Sequence, residues 1–430
     1  GVTGKLGCLR LNSAPPVTAQ VMITFREAGL GTGMTFSVFA ITNILLYRTW
    51  AALSARRQHG GCREVRGNPR GRSRTKGKNG VGQWIWDEYD TARTAFRTAA
   101  SRQGAHLIRE ILPSYVGPAG ETLSMDAAYL GPKAPTRLLL VLSGVHGFEG
   151  PAGSAVQAKV LEHGIDLSVD MGALVIHAVN PYGYAHWSRS TEDNVDLNRA
   201  FVDRNQSLPT NPDYADFHPY FCPDELNDRS LNAARMFIES YEAEHGADRA
   251  SSAIGAGQYD WPNGLYYGGR EEPWSVSALY SLICRSLSRE ALTGVALVDF
   301  HTGRGDFGAP FFLNFDRPGS EEFEQAAGWW GRENLLRKDE LGSKYQNIGP
   351  PPRHGLVLRG VRRFFAPATL AGCVVEFGTF DLWTMYRAEL ADRWVRFRGH
   401  RSRQLSDELR LEAFRAFNPD DEEWRKSVLD

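Results

Sequence analysis

Leu138-Leu-Leu-Val-Leu-Ser-Gly-Val-His146-Gly-Phe-Glu149-Gly150 is the stretch from which the rest of the chain reads. The apolar run Leu138–Leu142 has the length and composition of a strand buried on both faces, as in a parallel sheet. It stops at Ser143-Gly144, and the chain then presents His146 and Glu149, three residues apart, among glycines. In open α/β sheets ligands sit beyond the carboxyl ends of the strands. An imidazole and a carboxylate on one such turn can reach the same divalent cation. H-x-x-E alone is a weak signal, and it gains weight only from what else arrives at strand ends.

Moving outward, Pro151–His163 reads as a helix and Ala173–Val179 as a second buried strand, which predicts a strand–helix–strand unit and an at least partly parallel sheet. That strand runs into Asn180-Pro181-Tyr182-Gly183, read as a turn, and then into a polar loop bearing Arg189, Asp196, Asn198 and Arg199. Gly294–Phe300 is a third buried strand leading to His301, and Cys373–Phe377 a fourth carrying Glu376. Upstream, Asp87–Ala105 has helical periodicity, and Leu107–Leu130, broken by Gly117-Pro118 and Gly120, reads as a hairpin. Pro209–Pro273 reads as a long irregular insertion with one helix near Leu231–His245, shaping a pocket wall. Ser275–Leu292 and Thr384–Asp430 read as helical, with a helix start at Asn418–Glu422.

The chain has 430 residues, 42% of them hydrophobic and 23% charged, which is globular composition with ample core. A net charge of −1 conceals a basic leader: residues 1–83 hold thirteen Lys/Arg against Glu27 and Glu64. Arg56–Lys78 is Arg/Gly/Ser-rich without apolar periodicity, so it is expected to be disordered. Met34–Tyr47 is apolar but too short for a confident transmembrane helix. The expected organisation is a basic leader, residues 1–83 (a targeting segment or an artefact of the reading frame), and one catalytic domain, residues 84–430. The acidic remainder argues against a nucleic-acid partner, and no stable membrane anchor is expected. Five scattered cysteines with no C-x-x-C point away from a disulfide framework and toward a reducing, cytoplasmic compartment.

Three strands thus end in a metal ligand or catalyst type: His146 with Glu149, His301, and Glu376. Each alone has an ordinary explanation, a satisfied core histidine or a paired carboxylate. Together, two imidazoles and a carboxylate with an open fourth position make a catalytic zinc set. A further carboxylate is needed to take a proton from water, and guanidinium groups to hold a substrate carboxylate and the oxyanion.

Gly-Val-His146-Gly-Phe-Glu149-Gly, Asn180-Pro-Tyr-Gly, Asp196-Leu-Asn198-Arg199 and Glu376-Phe-Gly-Thr, in this order, resemble the zinc carboxypeptidase superfamily, which takes in carboxypeptidase A-like peptidases and the succinylglutamate desuccinylase/aspartoacylase amidohydrolases. Ser-Gly-Val-His-Gly, Glu192-Asp-Asn-Val-Asp-Leu-Asn-Arg, Tyr267-Gly-Gly and Asp299-Phe-His-Thr-Gly are most similar to a branch known as a domain of unknown function. The resemblance, over about residues 87–430, implies an α/β domain with a central mixed, largely parallel twisted sheet flanked by helices. It implies one Zn2+ on His146, Glu149 and His301, with Glu376 as general base and acid and Arg189 stabilising the oxyanion. Asn198 and Arg199 would bind a substrate carboxylate, and Asp196 would hold the ring of His146. The implied activity is zinc-dependent hydrolysis of an amide next to a free carboxylate in a small peptide or N-acyl amino acid, with the water on zinc activated by Glu376. The family's active-site tyrosine is not placed by spacing; Tyr266 and Tyr267 are candidates. The competing expectation is a metal-free or inactive binding protein that keeps the fold. A serine hydrolase lacks its G-x-S-x-G turn here.

Overall fold

Alternation along the apolar strands decides the architecture. Leu138, Leu140 and Leu142 point to one face and Leu139 and Val141 to the other, and both faces are covered. The computed structural model describes residues 85–337 and 353–430, together with two short strands, Met22–Phe25 and Met34–Ser37, which pair antiparallel. Those strands apart, the leader, including Arg56–Lys78, lies outside the described residues.

In chain order the strands are β1 (His106–Val116), β2 (Thr122–Leu130), β3 (Arg137–Ser143), β4 (Met171–His177), β5 (Gly294–Gly303), β6 (Pro310–Asn314), β7 (Leu335–Arg337) and β8 (Thr369–Gly378). They form one sheet in the order β1-β2-β4-β3-β5-β8-β6-β7. The central four, β4, β3, β5 and β8, are mutually parallel, and β2 and β6 run antiparallel beside them at the two sides. The parallel β3–β4 pair is the predicted strand–helix–strand unit.

The helices are α1 (Tyr89–Arg102), α2 (Gly150–His163), α3 (Pro181–His186), α4 (Tyr214–Phe221), α5 (Asp228–His245), α6 (Ala247–Gly255), α7 (Trp274–Ser286), α8 (Glu321–Trp330), α9 (Val357–Phe365), α10 (Leu382–Arg398), α11 (Arg403–Phe417) and α12 (Glu422–Leu429). Helices α7 and α9 pack on one face of the sheet through Leu279, Leu282, Val361 and Phe365. Helices α2, α8 and α12 pack on the other through Ala155, Trp329 and Trp424. Truncating a fully buried strand residue such as Leu140 to alanine should cost about 2–5 kcal/mol.

Two segments differ from the sequence reading. Asn180-Pro181 opens a short helix, because the Asn180 side chain caps it by accepting from Gly183 N–H at 2.8 Å. The irregular insertion holds three helices, α4 to α6. Their apolar spacing is helical (Tyr214, Phe217 and Phe221), but Pro219 within so short an element disguised it. The apolar faces of α4 and α6 pack with Tyr241 of α5 and with Tyr266, away from the main sheet.

Candidate active site

The four central strands deliver their carboxyl ends to one cleft, lined by His146, Glu149, Arg189, Asn198, Arg199, His301 and Glu376 among others. All the residues expected to act directly on metal or substrate reach it, and Asp196 lies fully buried beneath them.

His146 and Glu149 bracket a 3-10 turn, Gly147–Glu149, just past β3. The turn is clamped to the Arg189 loop by Gly147 N–H to Arg189 O (3.2 Å) and Phe148 N–H to Ser188 O (3.0 Å). A Cβ at Gly147 would stand 2.0 Å from the carbonyl carbon of Gly183, so only glycine permits this approach. From below, Phe148 stacks on Phe417 at 4.1 Å, and the Asn418 carboxamide donates to Phe148 O.

Both imidazoles are held in the same sense. His146 Nε2 lies 3.1 Å from Asp196 Oδ1, and His301 Nε2 lies 2.9 Å from Asp299 Oδ2. Their Nδ1 atoms face Glu149, at 2.8 Å from Oε1 and 2.9 Å from Oε2. An Nε2–H directed at an aspartate leaves the lone pair on Nδ1, the tautomer that binds metal. One ligand atom from each of His146, Glu149 and His301 lies within 4.8 Å of the others, and all three residues are buried. This donor set fits a zinc ion. Burial pushes the Glu149 carboxyl up, but the His146 and His301 rings outweigh it and hold it far below the ordinary range. Burial pushes His301 down, yet Asp299 and Glu149 raise it well above its usual value.

Glu376 lies on β8 in register with His301 on β5. Its Oε1 accepts the Arg304 N–H at 3.2 Å, which leaves Oε2 for a ligand. Burial, reinforced by Glu149, raises its pKa against the opposing pull of His301.

The guanidinium groups differ in their commitments. Arg189 is ion-paired with Asp196 (3.1 Å) and Glu389 (3.1 Å) and stands 3.6 Å from Glu149. Burial lowers its pKa, but these carboxylates more than compensate. Among the described residues Arg199 bonds backbone oxygens alone, Gly255 O through Nε (3.1 Å) and Asn198 O through Nη1 (2.7 Å). Burial leaves its pKa lowered. Asn198 Oδ1 accepts Val357 N–H at 3.1 Å, leaving the amide NH2 uncommitted among the described residues.

Tyr266 lines the cleft, 5.5 Å from the guanidinium carbon of Arg189 and 5.7 Å from that of Arg199, and its hydroxyl bonds Glu389. Tyr267 instead packs in the main core, its hydroxyl accepting Arg270 N–H. Sequence reasoning missed Asp299, Glu389, Arg304 and Arg353. Asp299 was recoverable: two residues before His301 on a strand, it must share that residue's face. No comparable signal marks the other three.

Solved structures align along most of the chain at low identity. Carboxypeptidase A from Helicoverpa armigera is 11% identical over 78% of this chain and 74% of its own, with a TM-score of 0.38. Bovine thrombin-activatable fibrinolysis inhibitor, solved with tick carboxypeptidase inhibitor, is 12% identical over 78% and 97%, TM-score 0.37. An aspartoacylase family protein from Mesorhizobium loti is 14% identical over 68% and 66%, TM-score 0.32. At such scores these likenesses carry no argument about function. No curated protein matches the chain. The family model described as "Protein of unknown function (DUF2817)" matches residues 86–430.

Proposed function

The chain belongs to the DUF2817 family, and we propose that its cleft is the active site of a zinc-dependent hydrolase cleaving an amide bond next to a free carboxylate. The observation that carries this reading is the convergence of two Nδ1 atoms and Glu149 within 4.8 Å, with Glu376 and the backbone-held Arg199 in the same cleft. His146, Glu149 and His301 would hold the zinc. When bound, zinc supplies Lewis acidity, polarising the scissile carbonyl and acidifying water.

The chain's own residues do the rest. Arg199 and the free NH2 of Asn198 receive the substrate carboxylate and set the register of the amide. Arg189, fixed by Asp196 and Glu389, donates to the oxygen that gains charge. Glu376 takes a proton from the attacking water at Oε2 and returns it to the departing amine nitrogen.

The experiment is a screen of C-terminal peptides and N-acyl amino acids, with and without chelator, alongside elemental analysis. Turnover that is abolished by chelator and restored by zinc, at one zinc per chain, supports the reading. Chelator-resistant turnover, or zinc retained in a His146→Ala/His301→Ala variant, overturns it.

A further inference from the structure

Two guanidinium groups of the cleft, those of Arg304 and Arg353, have no part in the reaction described above. Arg304 follows the carboxyl end of β5; among the described residues its hydrogen bond to Glu376 is through the backbone N–H, while its charge acts on that carboxylate from a distance. Arg353 lies on the segment entering α9, and that segment is pinned. His354 N–H bonds Ala256 O (3.1 Å), Phe201 N–H bonds Gly355 O (3.1 Å), and Val357 N–H bonds Asn198 Oδ1 (3.1 Å). Gly355 sits at φ +64°, and a Cβ there would stand 2.0 Å from Arg199 O. The glycine therefore lets the Arg353 segment run directly against Arg199.

Both side chains are half-buried, and among the described residues neither guanidinium has a hydrogen bond or a carboxylate at ion-pair distance. Arg189, by contrast, has three carboxylates around it. Burial, then the like charges of Arg304 and Arg199, push Arg353 down to about 9 against the pull of the Glu376 carboxylate. Five N–H donors on each planar group, partly removed from water and beside other cations, are a standing cost that a bound anion would relieve. The carboxylate beside the scissile amide cannot supply that anion, because it occupies Arg199 and Asn198.

We propose that Arg304 and Arg353 form a second anion subsite, and that the substrate carries a second carboxylate besides the one next to the amide. This inference rests on the hydrolase reading for the first carboxylate, but it predicts a binding preference that needs neither zinc nor turnover. The second carboxylate belongs either to the side chain of the released amino acid or to the acyl part.

The test titrates two matched pairs into full-chain Glu376→Gln protein, so that hydrolysis does not intrude. N-acetylglutamate against N-acetylglutamine places the extra charge on the amino acid; N-glutarylglycine against its analogue with the acyl-chain carboxylate amidated places it on the acyl part. In at least one pair the dianion should bind roughly tenfold to a hundredfold more tightly. Adding Arg304→Ala and Arg353→Ala should erase that difference, and the pair that shows it locates the second carboxylate. Equal binding within both pairs, or a preference that survives the double substitution, overturns the proposal. If the double variant does not fold, Arg353→Gln, which keeps bulk and removes charge, is judged by the same outcomes. The hydrolase reading stands or falls separately, on metal content and chelator-sensitive turnover.

Discussion

Glu389 grips Arg189 from across the cleft, its Oε1 3.1 Å from Arg189 Nη1, while its other carboxylate oxygen accepts the Tyr266 hydroxyl. One buried carboxylate on α10 therefore sets both a cation and a phenol of the site. Glu389→Gln keeps the volume but weakens both contacts. Turnover should fall by about tenfold with zinc content unchanged, and Arg189→Ala should fall further, by roughly a hundred- to a thousandfold. Steady-state kinetics with metal analysis checks this; wild-type turnover in Glu389→Gln would show that Arg189 needs no such brace.

Glu376→Gln separates proton transfer from metal binding. Turnover should drop by about two to four orders of magnitude while one zinc per chain remains. As the base, Glu376 must be ionised, so the wild-type rate should fall at low pH as the carboxylate takes up a proton. A pH profile without that acid limb would remove Glu376 from the base role.

Asp299 orients His301 without touching the metal position. Asp299→Ala should weaken zinc affinity by about ten- to a hundredfold, because the imidazole loses the partner that fixes its tautomer. Competition with a chelator of known affinity measures this; unchanged affinity would mean that strand packing alone holds the ring.

Arg199→Ala should raise the Michaelis constant more than it lowers turnover, since the carboxylate is held in ground and transition states alike. Specificity should fall by roughly thirty- to a thousandfold. Amidating the substrate carboxylate should cost wild type about the same and the variant nothing further. Equal losses in both proteins would show that another group anchors the carboxylate.

His177 governs a stability window away from the cleft. It is buried at the end of β4, with Nε2 2.8 Å from Ser154 Oγ and its ring stacked on Phe96 at 5.0 Å. Burial pushes its pKa from 6.5 down to about 4. Because the folded value is the lower one, the unfolded chain binds the proton more readily in between. Stability is therefore full above pH about 6.5 and is lost progressively toward pH 4, by up to about 3 kcal/mol. Denaturant midpoints measured across this window should show the slope, and His177→Gln should flatten it.

How far the sequence could be read follows from where each residue sits. His146, Glu149, His301 and Glu376 lie at the ends of apolar, glycine-bounded strands, and a parallel sheet must bring such ends to one side. The roles expected of Asp196, Asn198 and Arg199 came from the family resemblance, since a loop this rich in Asn, Asp and Arg ordinarily caps helices or faces water. Glu389 was not: on α10, charged residues are ordinary solvent-facing choices until the helix is laid over the cleft. Arg353 was hidden for a similar reason, since only the close pass of Gly355 over Arg199 brings it in. The edge strands β6 and β7 are too short to carry a period of their own, and tertiary pairing with β8 and with each other makes them strands.

The stack of Phe417 beneath Phe148 also orders events in time. Phe417 O accepts the Thr302 hydroxyl at 2.7 Å, and Trp424 Nε1 donates to Gly378 O at 2.8 Å, so α11 and α12 brace the turn of His146 and the ends of β5 and β8. A chain being synthesised lays down all four central strands before these braces leave the ribosome. The pocket therefore stays unsupported until residues 417–424 have emerged, long after the turn of His146 has been made.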